Sequence, residues 1–194
     1  MDFKESVYSI LVVSSAENFN SSLQSLLPEF KFSPICFEKS VSAAKRTMLE
    51  RTFDFVIINS PVAGDAGIRF SIDLCHEKNN VALLLVKGEL YAATYSKVSE
   101  HGVYVLSKPT SKGMVLQAAD WMITTHERLK RLEKKTVSIE DKMQEIRMVN
   151  RAKWLLIDQL KMTEADAHRY IEKQAMDSCT SKKSVAENII KTYS

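Results

Sequence analysis

The sequence predicts an α/β domain, a doubly wound five-stranded parallel sheet, followed by a long coiled-coil helix and an all-α three-helix bundle. Three observations carry this expectation. Over about the first 120 residues, short apolar runs rich in β-branched residues alternate with amphipathic segments, as strands covered on both faces of a parallel sheet require. Beyond Pro109, residues 112–158 hold no Pro and only Gly113, and their apolar residues fall on steps of four and three, which is a heptad seam. The final 45 or so residues then break into short helical stretches with polar starts. The expected domains are therefore 1–120, 121–147 and 148–194.

The elements follow in order. Residues 8–14 (YSILVVS) have the length and composition of a strand. Phe19, Leu23, Leu26 and Leu27 mark a helix closed by Pro28. Residues 32–37 form a second strand interrupted by Pro34, and Ser40 is placed to cap a helix carrying Val41, Ala44, Met48 and Leu49. Residues 53–58 (FDFVII) give a third strand, followed by a loop with Ser60, Pro61, Gly64 and Gly67. A helix around 66–77, a strand at 81–86, a helix around 92–100 and a strand at 103–106 complete five βα units.

The long helix is expected to lay its first part on the sheet domain and its middle in a coiled coil. Ala118, Met122, Thr125, Leu129, Leu132, Thr136, Ile139, Met143 and Ile146 form its seam. Charged residues from Glu127 to Lys135 fill the positions between. Leu129, Leu132, Thr136, Ile139, Met143 and Ile146 are the candidate dimer contacts, with the two threonines weakening the coil. After Leu160, Thr163 with Asp166 resembles a capping box. Ser181 or Ser184 caps a last helix whose Val185, Ile189 and Ile190 face inward.

Composition narrows the function. The chain has 194 residues, 45% hydrophobic and 26% charged, enough apolar material for a packed core. Its longest aliphatic run, Val81 to Val86, is six residues, against roughly 18 for a membrane span, so no membrane association is expected. The start, MDFKESVYS, lacks the apolar stretch of a leader peptide. Cys36, Cys75 and Cys179 are odd in number and lack metal-site spacing, which reads as reduced thiols in a cytoplasmic protein. The net charge of +3 is unevenly placed. Residues 1–120 carry twelve basic and thirteen acidic side chains, and residues 121–194 carry fifteen and eleven. The basic excess of the last third hints at a polyanionic partner there.

Catalytic patterns are missing from the sequence. His76, His101, His126 and His168 show no HExxH spacing, and GxSxG, GxxxxGK[ST] and GxGxxG do not occur. His101 reads as a turn residue before Gly102, and His126 as a residue of a helix surface. An enzyme is not expected, nor is a cofactor or a metal.

With Lys108-Pro109 after its last strand and FDFVIIN followed by Ser-Pro and Gly, the first domain resembles the receiver domain of two-component response regulators, the CheY-like, flavodoxin-like fold. Lys108-Pro109 stands where that family has its Lys-Pro, and FDFVIIN with the following Ser-Pro and Gly resembles the third strand and its loop. The resemblance implies a site of two acidic residues, a phosphoacceptor Asp, a Thr/Ser and the Lys. Here Ser14 and Ser15 occupy the acidic pair and Asn59 the phosphoacceptor position. The Val86-Lys87-Gly88 segment supplies no hydroxyl, and Val105 replaces the usual aromatic. Hydroxyls and an amide are poor ligands for a hard divalent cation, and Asn59 lacks the carboxylate nucleophile of an acyl phosphate. Asp54 reads as a strand-entry or surface residue and Asp65 as a loop residue. Ser14, Ser15, Asn59 and Lys108 thus form a degenerate phosphorylation site. Such a domain is expected to respond to a regulatory protein, a ligand or dimerisation, or not at all.

Residues 149–190, VNRAKWLLIDQLKMTEADAHRYIEKQAMDSCTSKKSVAENII, are closely similar to the ANTAR domain, an RNA-binding module of bacterial transcription antitermination regulators. The features that match are Ala152-Lys153 with Leu155 and Leu156, the TEADAH start at Thr163, Gln174-Ala175-Met176-Asp177, and Val185-Ala186-Glu187 through Ile190. Trp154 departs from the small residue, commonly Gly, expected after Ala-Lys. The resemblance implies a dimer that binds nascent mRNA, each domain taking one of two adjacent hairpin loops so that a terminator cannot form. Loop bases can be splayed out and read on their edges, unlike those in an A-form groove.

Arg147, Arg151, Lys153, Arg169, Lys173, Lys182 and Lys183 could supply charge for phosphates. Asn150, His168 and Gln174 could reach base edges, and Trp154 or Tyr170 could stack. Ala152, Ala167 and Ala175 read as close-packing positions and Met176 as core, while Tyr170 and Trp154 fit either core or surface. The expected function is a bacterial regulator that binds paired hairpin loops in an mRNA leader as a homodimer. The alternative is an interaction module in which the receiver-like domain and coiled coil sequester a partner without RNA binding. A DNA-binding regulator is more distant, since the tail lacks a helix-turn-helix signature.

Overall fold

In a computed structural model, which describes residues 6–77 and 80–193, five strands alternate with helices and three helices close the chain. Residues 1–5 of the MDFKESVYS start lie outside the described residues, as does residue 194 of the expected last domain. The strands are β1 (Tyr8–Val13), β2 (Phe32–Glu38), β3 (Phe55–Asn59), β4 (Val81–Lys87) and β5 (Tyr104–Lys108). They form one parallel sheet in the order β2-β1-β3-β4-β5.

Period-two alternation gives each strand two apolar faces. Leu11, Val13, Val56, Ile58, Ala82, Leu84 and Val86 pack on one side against Ala44 and Met48 of α2 (Val41–Glu50), Phe70 and Leu74 of α3 (Ile68–Glu77) and Val98 of α4 (Tyr91–Val98). Ile10, Val12, Phe55, Ile57, Leu83 and Leu85 pack on the other side with Leu23 of α1 (Glu17–Leu26). Val115, Ala118, Ala119 and Met122 of α5 (Lys112–Leu160) complete that face. Each large aliphatic buried here contributes about 1.5–3 kcal/mol of transfer free energy.

Local sequence explains the boundaries. Ser40 caps α2, its hydroxyl accepting from Ala43 N at 3.1 Å. At Gly67, φ is +71° and an added Cβ would lie 2.7 Å from Ile58 Cγ2, so the turn into α3 needs a residue without a side chain. The expected helix around 92–100 is instead α4 flanked by short 3-10 turns at Gly88–Leu90 and Ser99–His101, ending at Gly102 with φ +80°.

The chain separates into two compact units, 1–130 and 131–194. The first therefore takes about ten residues more of the long helix than the expected boundary at 120. Leu129 packs against the sheet domain's core instead of standing in an open seam. Its neighbour three residues on, Leu132, is half exposed, as are Ile139, Met143 and Ile146.

In the second unit, Ala152 and Leu156 of α5 pack with Ala167, Ile171 and Ala175 of α6 (Glu164–Asp177). Val185, Ala186 and Ile189 of α7 (Lys182–Tyr193) close this core. The fully buried alanines let helix backbones approach closely. Thr163 caps α6 by accepting from Asp166 N at 3.2 Å. Ser181, rather than Ser184, starts α7, its hydroxyl accepting from Ser184 N at 3.1 Å. Met176 is not core: it is 78% exposed, because Ile171 and Ala175 take the inward positions of α6.

Candidate nucleic-acid interface and receiver-like pocket

The carboxyl ends of β1, β3 and β5 bring Ser14, Asn59 and Lys108 together, where an open α/β sheet ordinarily places its ligand. The Asn59 amide donates to Ser14 Oγ at 3.1 Å. Lys108 Nζ donates to Asn59 Oδ1 at 2.6 Å and to the Ser60 carbonyl at 2.5 Å. Ser14 Oγ also accepts from Ala16 N at 3.2 Å. Ser14, Asn59 and Ser60 are buried, whereas Ser15 is exposed and outside this set of bonds. Burial, and then the neighbouring Lys87, lower the Lys108 pKa. The amide, hydroxyl and ammonium satisfy one another, and none is an anionic oxygen or a carboxylate nucleophile.

The remaining carboxylates sit elsewhere. Asp54, at the opposite end of β3, accepts from Ser9 N and Ser9 Oγ at 2.8 Å each. Asp65 accepts from Gly67 N at 2.7 Å within its loop. His126 lies beside Asp54 with its side chain only 18% exposed, so it is an inward residue of α5 and not a surface one. His76 Nε2 and His101 Nδ1 share a 2.7 Å hydrogen bond, a pairing that sequence separation concealed. Among the described residues no group of three or more His, Cys, Asp or Glu side chains could hold a metal. No helix among them is long and apolar enough to cross a membrane.

In the second unit the basic candidates divide into paired and unpaired groups. Lys153 Nζ lies 3.1 Å from Glu164 Oε1, with its side chain only 16% exposed. Lys182 Nζ lies 2.5 Å from Glu172 Oε1, and His168 Nε2 lies 3.3 Å from the same oxygen. The hydrogen bond from Lys182, then its charge and that of His168, lower the Glu172 pKa. Lys183 makes only a long 3.5 Å contact with Gln144. Arg147, Arg151, Arg169 and Lys173 are exposed and make no ion pair among the described residues.

Helical spacing places Arg147, Asn150, Arg151 and Trp154 on the solvent face of α5, opposite Ala152 and Leu156. Trp154 is 70% exposed and Tyr170 is also exposed, so neither belongs to the core. Arg169 and Lys173 share a face of α6 at i, i+4, whereas Gln174 is half-buried. Two residues that the sequence reading did not single out lie beside these candidates. Lys191 lines a depression with Arg147 and Arg151, and Glu164 lines another with Asn150 and Trp154. Lys191 follows the Ile189-Ile190 pair on the rising basic tail, which was a readable signal; Glu164 gave none.

Known proteins match the chain one part at a time. Residues 138–190 match the ANTAR domain. The transcriptional regulatory protein PdtaR of Mycobacterium tuberculosis is 32% identical over 87 residues, which are 45% of this chain and 42% of that protein. The chain thus aligns with less than half the length of these curated relatives.

Among solved structures, the signal receiver domain of an HD domain-containing protein from Pseudomonas fluorescens Pf-5 superimposes with a TM-score of 0.57 at 22% identity. That match covers 64% of this chain and 93% of that one. The receiver domain of the TMAO respiratory system response regulator TorR gives 0.53 at 13% identity, covering 61% and 98%. An adenylate cyclase from Rhodopirellula baltica gives 0.61 at 19% identity, covering 68% and 98%. At these identities the likeness is one of fold. Residues 138–190 thus match the ANTAR domain, and the first unit has the fold of receiver domains, with Asn59 at the carboxyl end of β3.

Proposed function

We propose that this chain binds nascent mRNA through its ANTAR domain and promotes transcription antitermination as a homodimer in the bacterial cytoplasm, without phosphorylation of its receiver-like domain. The observation that carries the reading is the match of residues 138–190 to the ANTAR domain, on a bundle that leaves Arg147, Arg151, Arg169 and Lys173 unpaired and exposed. Guanidinium and ammonium groups that are not already committed to carboxylates are the ones available to replace condensed counterions on a phosphate backbone. Lys153 and Lys182 are committed, so their part is to fix α6 against its neighbours.

Dimerisation through the half-exposed stripe Leu132, Thr136, Ile139, Met143 and Ile146 brings two loop-binding surfaces into one molecule. Two weak sites then act together through effective concentration. The closed Ser14–Asn59–Lys108 set supports a receiver-like domain that works through a regulatory protein, a ligand or its effect on pairing.

Filter binding with a pool of RNAs, each carrying two adjacent hairpins with randomised loops, tests the reading against single-hairpin RNA and duplex DNA. Retention of the two-hairpin pool well above the other two is expected. Equal, weak retention of all three would leave a sequestering interaction module as the function.

A further inference from the structure

We infer that Trp154 is a stacking platform for one unstacked RNA base, whose edge is read by the Asn150 amide and the Glu164 carboxylate. This rests on the RNA-binding reading above and names the base-binding position within it. The indole is 70% exposed, although a Trp gains more than most side chains from leaving water. Beside it lies a depression of about 230 Å³ lined by Asn150, Lys153, Trp154, Ile157 and Glu164. Pockets for whole small ligands run from about 300 to 1,000 Å³, so this one suits a single ring system.

Its chemistry suits a base better than any other part of a nucleotide. Indole and Ile157 offer an apolar face, and base–aromatic stacking tolerates any base because each has a π-face. The Glu164 carboxylate is held 3.1 Å from Lys153 Nζ and its side chain is 77% exposed. Its free lone pairs accept hydrogen bonds and donate none, so they take a base through its amino or ring N–H groups. The same negative charge keeps phosphate out of the depression.

Phosphate is drawn instead to Arg147 and Arg151, which share the exposed face of α5 with Trp154 at i, i+4 and i+7. Base on one side and backbone on the other is the arrangement a single strand requires. A protein partner covering Trp154 would have to desolvate both unpaired arginines, which a polyanion neutralises.

The chain has two Trp residues, Trp121 and Trp154, so full-length Trp121→Phe leaves Trp154 as the sole indole. With the randomised two-hairpin pool, its emission is expected to be quenched over the concentration range in which filter binding saturates. Trp154→Ala on the same background should weaken binding about 5- to 100-fold and leave the salt dependence unchanged, since no phosphate contact is lost. Trp154→Phe should lose less. Because the residue is exposed, thermal unfolding followed by circular dichroism should be the same for all three variants.

Binding of the randomised pool with an unchanged emission and an unaffected Trp154→Ala variant would overturn the inference while RNA binding stood. Failure of the wild-type chain to bind any pool would overturn the RNA-binding reading and this inference with it. An emission shift that follows protein concentration without RNA would overturn it too, by assigning the indole to a protein interface.

Discussion

Nε2 of His126 on α5 lies 3.4 Å from Oδ1 of Asp54 at the entry to β3. The imidazole stands edge-on to the rings of Tyr8 and Phe55, with centroids 5.8 and 5.5 Å away. Asp54 is in turn fixed by two hydrogen bonds from Ser9. The long helix is thereby tied to the amino-terminal edges of β1 and β3 through one polar contact inside an aromatic cluster. His126→Ala removes the ring packing and leaves Asp54 without this partner. A loss of about 1–3 kcal/mol in urea unfolding is expected. His126→Phe keeps the packing and should lose less; equal losses for both would mean that the Asp54 contact carries the whole effect.

The neighbouring Tyr8 supplies a pH-dependent counterpart. Its hydroxyl donates to Glu127 Oε1 at 3.1 Å. Burial first, then the hydrogen bond to Glu127 and its charge, raise the phenol above its ordinary value of 10.0. A folded-state pKa raised in this way contributes stability that is fully present below the unfolded value and is lost as pH climbs through the folded one. Tyr8→Phe retains the ring contact with Phe55, so the stability difference from wild type isolates the hydroxyl. That difference, about 1 kcal/mol, should be constant up to about pH 10 and shrink above it. A difference that grows with alkali would reverse the sign of the assigned interaction.

What the sequence disclosed and what it hid follow from the range of the interactions. The βα alternation and the caps at Ser40 and Thr163 depend on residues within a few positions of one another, and they were readable. His126 looked like a surface residue because its partners, Tyr8, Asp54 and Phe55, are more than 70 positions away in the chain. Met176 looked like core because hydrophobicity alone does not reveal that Ile171 and Ala175 already fill α6's inward face. The ion pair of Lys153 was hidden because Glu164 comes to it only through the turn after Leu160. The altered pocket was legible position by position, since Asn59 and Lys108 end strands. That its members bond to each other instead of standing open was not legible.

The closed pocket has a direct chemical consequence. Acyl-phosphate formation needs a carboxylate oxygen as nucleophile and anionic oxygens to hold a divalent cation, and Ser14, Asn59 and Lys108 provide neither. Incubation of the chain with acetyl phosphate and Mg²⁺ should give no acid-labile phosphoryl adduct by intact mass. Asp54 is engaged by Ser9 at the far end of β3, and Asp65 by Gly67 in its loop. A stoichiometric adduct on either would overturn the assignment. Asn59→Asp restores a carboxylate but places it against the Lys108 ammonium without the acidic pair, so it too should remain unmodified.

The exposed stripe on α5 makes the last prediction. Leu132, Ile139, Met143 and Ile146 are each about half exposed on a helix whose earlier seam residues, Ala118 and Met122, are buried in the sheet domain. Thr136 lies between them with its hydroxyl bonded to Leu132 O at 3.0 Å, so the polar atom is satisfied within the helix. If two copies pair here, sedimentation equilibrium should give the mass of two 22.0 kDa chains. Ile139→Lys with Ile146→Lys should give the mass of one, because two ammonium groups would be buried opposite their own copies. Thr136→Ile should tighten the pair by adding apolar area at a seam position. The lysine variant should keep its affinity for a single hairpin but lose the gain from two, a factor on the order of 10² or more. A wild-type chain that stays monomeric yet still prefers two hairpins would remove the stripe from the mechanism.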